Sequence, residues 1–311
     1  MSTSPTIAAL VPCYNEELSI ASVVRDLRAA VPEITVYVYD NASTDRTVEV
    51  ARAAGAVVRS EERKGKGNVV RRAFADVEAD IYVLIDGDDT YDAAALPEMI
   101  ATLIDGPYDH ILGVRNETTE SAYRPGHSLG NKGFNWLVGS IFGSDVSDML
   151  SGYRVMSRRF VKSFPALSRE FEIETELTVH AMSVRVPQAE VSVGFKDRPE
   201  GSESKLRTYH DGFRILNLIA QLVRHERPMF FYGVVASILV FIGILLGIPV
   251  VVDFFQTGLV PRLPSAVLAL GVVLAGGLAA SIGLILDGVL KARREVSRLN
   301  YLTYSAPPTA E

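Results

Sequence analysis

Residues 84–92 read LIDGDDTYD, the end of an apolar run, Ile81–Ile85, that meets Asp86, Asp88, Asp89 and Asp92. Five apolar residues bounded by polar ones have the length of a buried strand rather than of a helix. Carboxylates crowded behind such a strand repel one another, so the tip is either a solvated turn or the seat of a positive charge. Asp86 and Asp88, two residues apart where the strand departs, bring both carboxylates toward one point. A hard divalent cation, Mg²⁺ or Mn²⁺, would relieve the repulsion, bound through one or two carboxylates plus substrate phosphate oxygens. Asp92 is better suited to cap a helix over Ala93–Ile104.

Upstream, the chain alternates between short apolar strands and amphipathic helices. Ile7–Val11 is a strand broken by Pro12, and Glu17–Ala30 carries Ile20, Val23, Val24 and Leu27 at helical spacing. Ile34–Tyr39 is a second strand, followed by a helix over Asp45–Ala54 capped by Ser43 or Thr44. Ala56–Arg59 and Lys66–Val77 supply a third strand and helix, and Ile81–Ile85 is the fourth strand. Such alternation predicts an α/β domain whose sheet is mainly parallel and covered on both faces. Ligands of such sheets sit beyond the carboxyl ends of the strands. Four successive strand ends carry polar clusters: PCYNEE, DNASTD, RKGKGN and DGDD. All four fall on one rim.

The chemistry of the clusters points to a nucleoside diphosphate. Arg63–Asn68 places small residues and cations, among them Lys66, at a helix start, where backbone N–H groups suit a phosphate. Asp40, Asn41 and Ser43 offer hydrogen-bonding groups for a base or ribose. The spacing of a Walker A loop is absent, and no GxGxxG follows the first strand, which disfavours an ATPase and a dinucleotide fold.

With VPCYNEE, DNASTD, the Gly-Lys-Gly loop, DGD and the later DMLSGYR, the chain resembles the family 2 inverting glycosyltransferases of the GT-A fold. More narrowly it resembles the polyprenyl-phosphate glycosyltransferases, relatives of dolichol-phosphate mannose synthase and bactoprenol glucosyltransferases. The resemblance spans roughly residues 5–230 by motif. It implies a nucleotide-sugar donor pocket formed by Pro12, Tyr14, Glu16, Asp40, Ser43, Asp45, Lys66, Asp86 and Gly87, with Asp86 and Asp88 holding the metal and Asp88 also counted as catalytic. It places the acceptor phosphate at Arg115, Arg124, Lys132 and Arg154, and Asp148 in the role of base or acceptor-orienting group. Glu172 or Glu174 would lie near the sugar hydroxyls. Thr90 stands where several relatives carry Gln, which leaves a third side-chain metal ligand open.

A phosphate monoester acceptor has a second pKa of about 6, so its attacking oxygen is largely deprotonated at neutral pH. The expectation is therefore that Asp148 orients more than it deprotonates. UDP is the expected nucleotide, and UDP-glucose, UDP-GlcNAc and GDP-mannose are all compatible with the motifs.

Composition sets the membrane context. The 311 residues are 48% hydrophobic and 22% charged, with a mean hydropathy of +0.18. The apolar excess concentrates in Met229–Val252 and Leu263–Leu286, neither of which contains a charge. Each is about 24 residues, or roughly 36 Å of helix, enough to cross a hydrocarbon core of about 30 Å. Arg214, Arg224 and Arg227 precede the first, and Lys291, Arg293, Arg294 and Arg298 follow the second, so both ends are expected in the cytoplasm. The resulting plan is a GT-A catalytic domain over 1–207, an interfacial amphipathic region over 208–228, spans at 229–252 and 263–288, and a tail over 289–311. Arg198–Leu206 reads as a candidate lid. No signal peptide is visible, and the single cysteine, Cys13, excludes an intrachain disulfide. A net charge of −6 argues against a nucleic-acid partner. The expected partners are the nucleotide-sugar, the prenyl phosphate and the bilayer, and the exposed surface of two spans leaves self-association open. A processive polysaccharide synthase and a non-catalytic membrane scaffold are the competing functions. Two spans and the absence of a QxxRW signature count against the first, and the intact Asp86, Asp88 and Asp148 against the second.

Overall fold

A computed structural model describes residues 4–117, 147–166, 173–196 and 223–307. Arg124, Lys132, Glu172 and the Arg198–Leu206 loop lie outside the described residues, as does most of the 208–228 region.

Among the described residues, the α/β part of the chain is built on seven strands: β1 (Ile7–Cys13), β2 (Thr35–Asp40), β3 (Val57–Ser60), β4 (Ile81–Leu84), β5 (His110–Glu117), β6 (Arg154–Ser157) and β7 (Gln188–Phe195). Their order is β3-β2-β1-β4-β6-β5-β7. Of these, only β6 runs antiparallel to its neighbours, β4 and β5. The helices are α1 (Ile20–Ala30), α2 (Thr47–Ala53), α3 (Lys66–Asp76), α4 (Leu96–Asp105), α5 (Arg158–Ser163) and α6 (Ile173–Val184). The pleat divides β1 between two cores. Ile7, Ala9, Val11 and Cys13 join Ile20, Val24 and Leu27 of α1 and Leu96 and Met99 of α4. Ala8 and Leu10 face Val70 and Phe74 of α3, Phe160 of α5 and Leu177 of α6.

Two local expectations are corrected. Pro12 does not end β1, which continues to Cys13 paired with Asp40. Pairing with β4 stops at Leu10, whose carbonyl accepts from Ile85 N–H, so Pro12 turns its missing donor to a side where no ladder remains. Neither Ser43 nor Thr44 caps α2. The Asp45 carboxylate does so, accepting from Thr47 N–H at 3.0 Å. Asp92 caps as expected, taking Ala94 N–H at 2.9 Å ahead of a 3₁₀ turn at Ala93–Ala95 and α4.

The chain divides into two compact units, Met1–Arg207 with Val296–Glu311, and Thr208–Glu295. The second unit contains α7 (Pro228–Thr257) and most of α8 (Leu263–Leu302), both long and apolar enough to span a membrane. Small residues let these helices meet closely: a side chain at Gly243 would strike Val273, and one at Gly276 would strike Val240. Ion pairs brace the hairpin at both ends, Asp253–Arg262 and Glu226–Arg294, each at 3.0 Å. In the first unit the C-terminal residues return to the α/β domain: Arg298 donates to Val184 O (3.2 Å), and the Tyr301 hydroxyl to buried Asp109 (2.7 Å).

Candidate active site

The expected rim is formed by the carboxyl ends of the parallel strands and the turn entering β6. After β1 and β2 the loops are stitched together. Asn15 N–H donates to Ser43 Oγ (2.9 Å), Glu16 N–H to Thr47 Oγ1 (2.8 Å) and Glu17 N–H to Asp45 Oδ2 (3.1 Å). Burial works to raise the Asp45 carboxyl, but hydrogen bonds from Thr47 and Glu17 outweigh it and hold it below its ordinary value. Asp45 and Ser43 therefore shape the loops. Asn41 does the same for the basic loop: its amide donates to the carbonyls of Glu61 (2.9 Å) and Arg63 (2.8 Å) and accepts from Gly65 N–H (2.7 Å). Gly65 sits at φ 119°, a conformation that favours glycine, and starts α3. Lys64 lies over the Tyr14 ring, 5.4 Å from its centroid.

At the acidic corner, Lys66 turns inward from the first turn of α3. Its ammonium bonds Asp86 Oδ1 and the Glu174 carboxylate on α6. Burial alone would lower the Lys66 pKa, but the two carboxylates hold it well above its ordinary value. Burial pushes Glu174 up, Lys66 pulls it back, and its Oε2 has no hydrogen-bond partner. Asp88 is buried and accepts the Thr90 hydroxyl at 2.7 Å, which steadies the carboxylate. Gly87 and Gly152 leave room at this corner. A Cβ on Gly87 would meet Cys13 Sγ and Pro12 O, and one on Gly152 would meet Asp86 Oδ2 and Lys66 Nζ. Buried Cys13 lies beneath. Its thiol is pushed well up, first by burial and then by Glu16, Asp40, Asp86 and Asp88 together.

Asp86 and Asp88 thus share this corner, with Lys66 as the partnering cation of Asp86. That donor set fits a hard divalent ion. No group of three His, Cys, Asp or Glu side chains among the described residues could cage a metal, so the fit is to an ion shared with substrate phosphates.

Beside this corner, Arg115 near the end of β5 grips Asp148 with two hydrogen bonds of 2.7 Å, Nε to Oδ2 and Nη2 to Oδ1. Burial would lower the arginine pKa, and Asp148 overrides it to raise it. Between the two clusters, Tyr91 accepts Gly152 N–H (2.9 Å), its phenol pushed up to about 12 by burial and by Asp86.

Arg154 is not where the sequence placed it. It is fully buried, and a phosphate would have to break its internal bonds to reach it. The structure brings Lys66, Asp86, Asp88, Asp148 and Arg115 to one rim beside Glu16 and Asp40. The sequence signal missed the Lys66–Glu174 contact, which spans distant segments and leaves no local pattern.

The model for "Glycosyl transferase family 2" matches residues 8–164. Glycosyltransferase AglJ of Haloferax volcanii is 32% identical over 95% of this chain and 97% of its own length. A dolichyl-phosphate hexose transferase of the same organism is 28% identical over 72% of this chain and 97% of its own. Among solved structures, glucosyl-3-phosphoglycerate synthase of Mycobacterium tuberculosis in complex with Mn²⁺, UDP and glucosyl-3-phosphoglycerate shares the fold, with a TM-score of 0.58 and 23% identity over 71% of this chain and 79% of that one. Matched over half its length by the family model and nearly end to end by a glycosyltransferase, the chain that carries this rim belongs to glycosyl transferase family 2.

Proposed function

We propose that this glycosyltransferase is an inverting, metal-dependent hexosyltransferase that moves one sugar from a UDP-sugar to the phosphate of a polyprenyl phosphate, undecaprenyl or dolichyl, at the cytoplasmic face of a membrane. The observation that carries the reading is the juxtaposition on one rim of an acidic corner, Asp86 and Asp88, and an arginine already docked on an oxyanion, Arg115 on Asp148. The first suits a diphosphate with a divalent ion and the second a phosphate monoester. Two apolar helices and the likeness to a dolichyl-phosphate hexose transferase favour a lipid acceptor. The UDP and Mn²⁺ of the solved relative of the same fold favour that donor pairing. The proposed layout keeps the catalytic domain, 1–207, and the tail, 289–311, in the cytoplasm, with spans at 229–252 and 263–288. The tail residues from Val296 belong to the same compact unit as the catalytic domain, which supports both lying on one side.

In this mechanism an acceptor phosphate oxygen attacks the sugar C1 from the face opposite the nucleotide. The new C1–O bond forms as the bond to the nucleotide phosphate breaks, and the nucleoside diphosphate leaves with the electron pair, inverting C1. Asp86 and Asp88 would hold Mg²⁺ or Mn²⁺, which supplies positive charge to the departing diphosphate. The chain's own groups set the geometry. Lys66 holds Asp86 in place. Arg115 presents its planar fork to the acceptor phosphate, and Asp148 aims that fork. Both Asp148 oxygens are engaged in aiming Arg115, and the acceptor oxygen needs no base, because holding two anions in line is the larger demand. The test supplies membranes containing the full chain with labelled UDP-glucose, UDP-GlcNAc or GDP-mannose and prenyl phosphate, with and without EDTA. One sugar on prenyl phosphate, lost in chelator, is expected. A long polymer, or transfer indifferent to chelator, overturns the reading.

A further inference from the structure

Arg154 starts β6, the strand inserted antiparallel between those that deliver the two halves of the site. Across the ladder it pairs with Leu84, two residues before Asp86, and with Leu112, three before Arg115. Its side chain has five N–H donors, and five acceptors meet them. Nε donates to Ser151 O (3.1 Å), and Nη2 to Met149 O and Glu174 O (3.0 Å each). Nη1 donates to Thr178 Oγ1 (2.9 Å) and to His110 Nε2 (3.1 Å). Burial, with Arg154 next, pushes His110 far down, so its imidazole is neutral and accepts. Burial lowers Arg154 itself to about 10, still a cation at neutral pH.

Every one of the five acceptors is neutral. A fully buried guanidinium without a contacting carboxylate is an expensive way to hold a core together, and an apolar residue of similar volume commonly does that better. What the five bonds achieve is geometric. Two reach the turn that carries Asp148, and two reach one face of α6, at Glu174 and Thr178 one turn apart. Glu174 in turn holds Lys66 against Asp86.

We infer that Arg154 is a positioning residue: its guanidinium locks the Asp148 turn and the first turns of α6 into one register, fixing the spacing between the Arg115–Asp148 pair and the Lys66–Asp86–Glu174 corner. The inference rests on the proposed transfer between a donor at the corner and an acceptor phosphate at Arg115. In that scheme the register sets the in-line approach, where an error of about 1 Å costs on the order of 10²-fold in rate.

Two variants of the full chain in detergent test it. Arg154→Lys keeps the charge and offers three donors instead of five. Thr178→Val is nearly isosteric and removes one acceptor. For each, UDP binding in the presence of Mn²⁺ is titrated by calorimetry to count competent sites, and kcat is measured per site with prenyl phosphate saturating. Arg154→Lys is expected to bind UDP at one site per chain with nearly wild-type affinity, while kcat per site falls on the order of 10²-fold. Thr178→Val should show the same split with a fall of about threefold. A merely structural role would remove UDP sites and activity in proportion, leaving kcat per site intact, and that result overturns the inference, as does wild-type kcat in Arg154→Lys. If Arg154→Lys yields no UDP-binding chain, Thr178→Val decides, and unchanged kcat there overturns it. Wild-type protein that makes no prenyl-linked product defeats the functional reading and this inference with it, whereas active wild type with equally active variants defeats the inference alone.

Discussion

Two ionic clusters at different places on the same sheet are built to opposite plans. At the start of β5, Asp109 is fully buried and fully answered: Ser157 Oγ, both arms of Arg159 and the Tyr301 hydroxyl all donate to it. Neither Asp109 oxygen is left without a partner. At the end of β4, Lys66 answers Asp86 and Glu174, yet Glu174 Oε2 is an orphan, and Asp88, Asp40 and Glu16 add further negative charge over Cys13. A cluster that serves stability closes on itself. One that serves chemistry keeps an unmet demand, which a cation and its substrate can meet.

The largest expected effect separates the two plans. Changing Asp86 and Asp88 to Asn together should lower lipid-linked product formation on the order of 10³-fold, a loss larger than any fall in folded protein, because Lys66 keeps Glu174 as a partner. Normal transfer by that variant in chelator breaks the comparison. Asp109→Ala should do the reverse. Leaving Arg159 uncompensated is expected to cost about 3 kcal/mol in denaturant unfolding, with kcat per UDP-binding site unchanged. A fall in kcat per site would show that the closed cluster also serves chemistry.

Asp148→Asn comes next, with kcat down about 30-fold because Arg115 loses its charged guide. Its rate–pH profile should keep the wild-type acidic limb, since the group that titrates is the acceptor phosphate near pH 6. A limb present in wild type and missing in the variant would make Asp148 the base. Tyr301→Phe removes one of the donors to Asp109 and should cost about 1 kcal/mol in unfolding. The smallest effect belongs to Asp45→Asn, at about 1 kcal/mol or less at neutral pH. The Asp45 carboxyl lies below its ordinary 3.8, so its contribution is present above that pH and is lost as pH falls through the lower folded value. The wild-type and variant curves should therefore converge in acid.

The α/β alternation and the acidic corner were legible because both are local: strand-length apolar runs followed by polar clusters mark β1 to β4 within one or two residues. What escaped reading depends on distant partners. The basic loop promised a cradle of free cations, but Lys66 spends its charge on Asp86 and on Glu174, 108 residues further along the chain. Arg154 looked like an acceptor ligand because type and neighbourhood were right, and only the antiparallel insertion of β6 between β4 and β5 shows that it is sealed inside. Asn41 looked like a ligand contact and proves to be a strut, its amide consumed by three backbone groups. Polar residue types announce chemistry equally well whether they face a substrate or one another.

The bond from Tyr301 to Asp109 has a consequence for biosynthesis. Asp109 leaves the ribosome early, and its last donor is made 192 residues later, in the last turn of α8. Until α8 is complete, Asp109 lacks one of its donors.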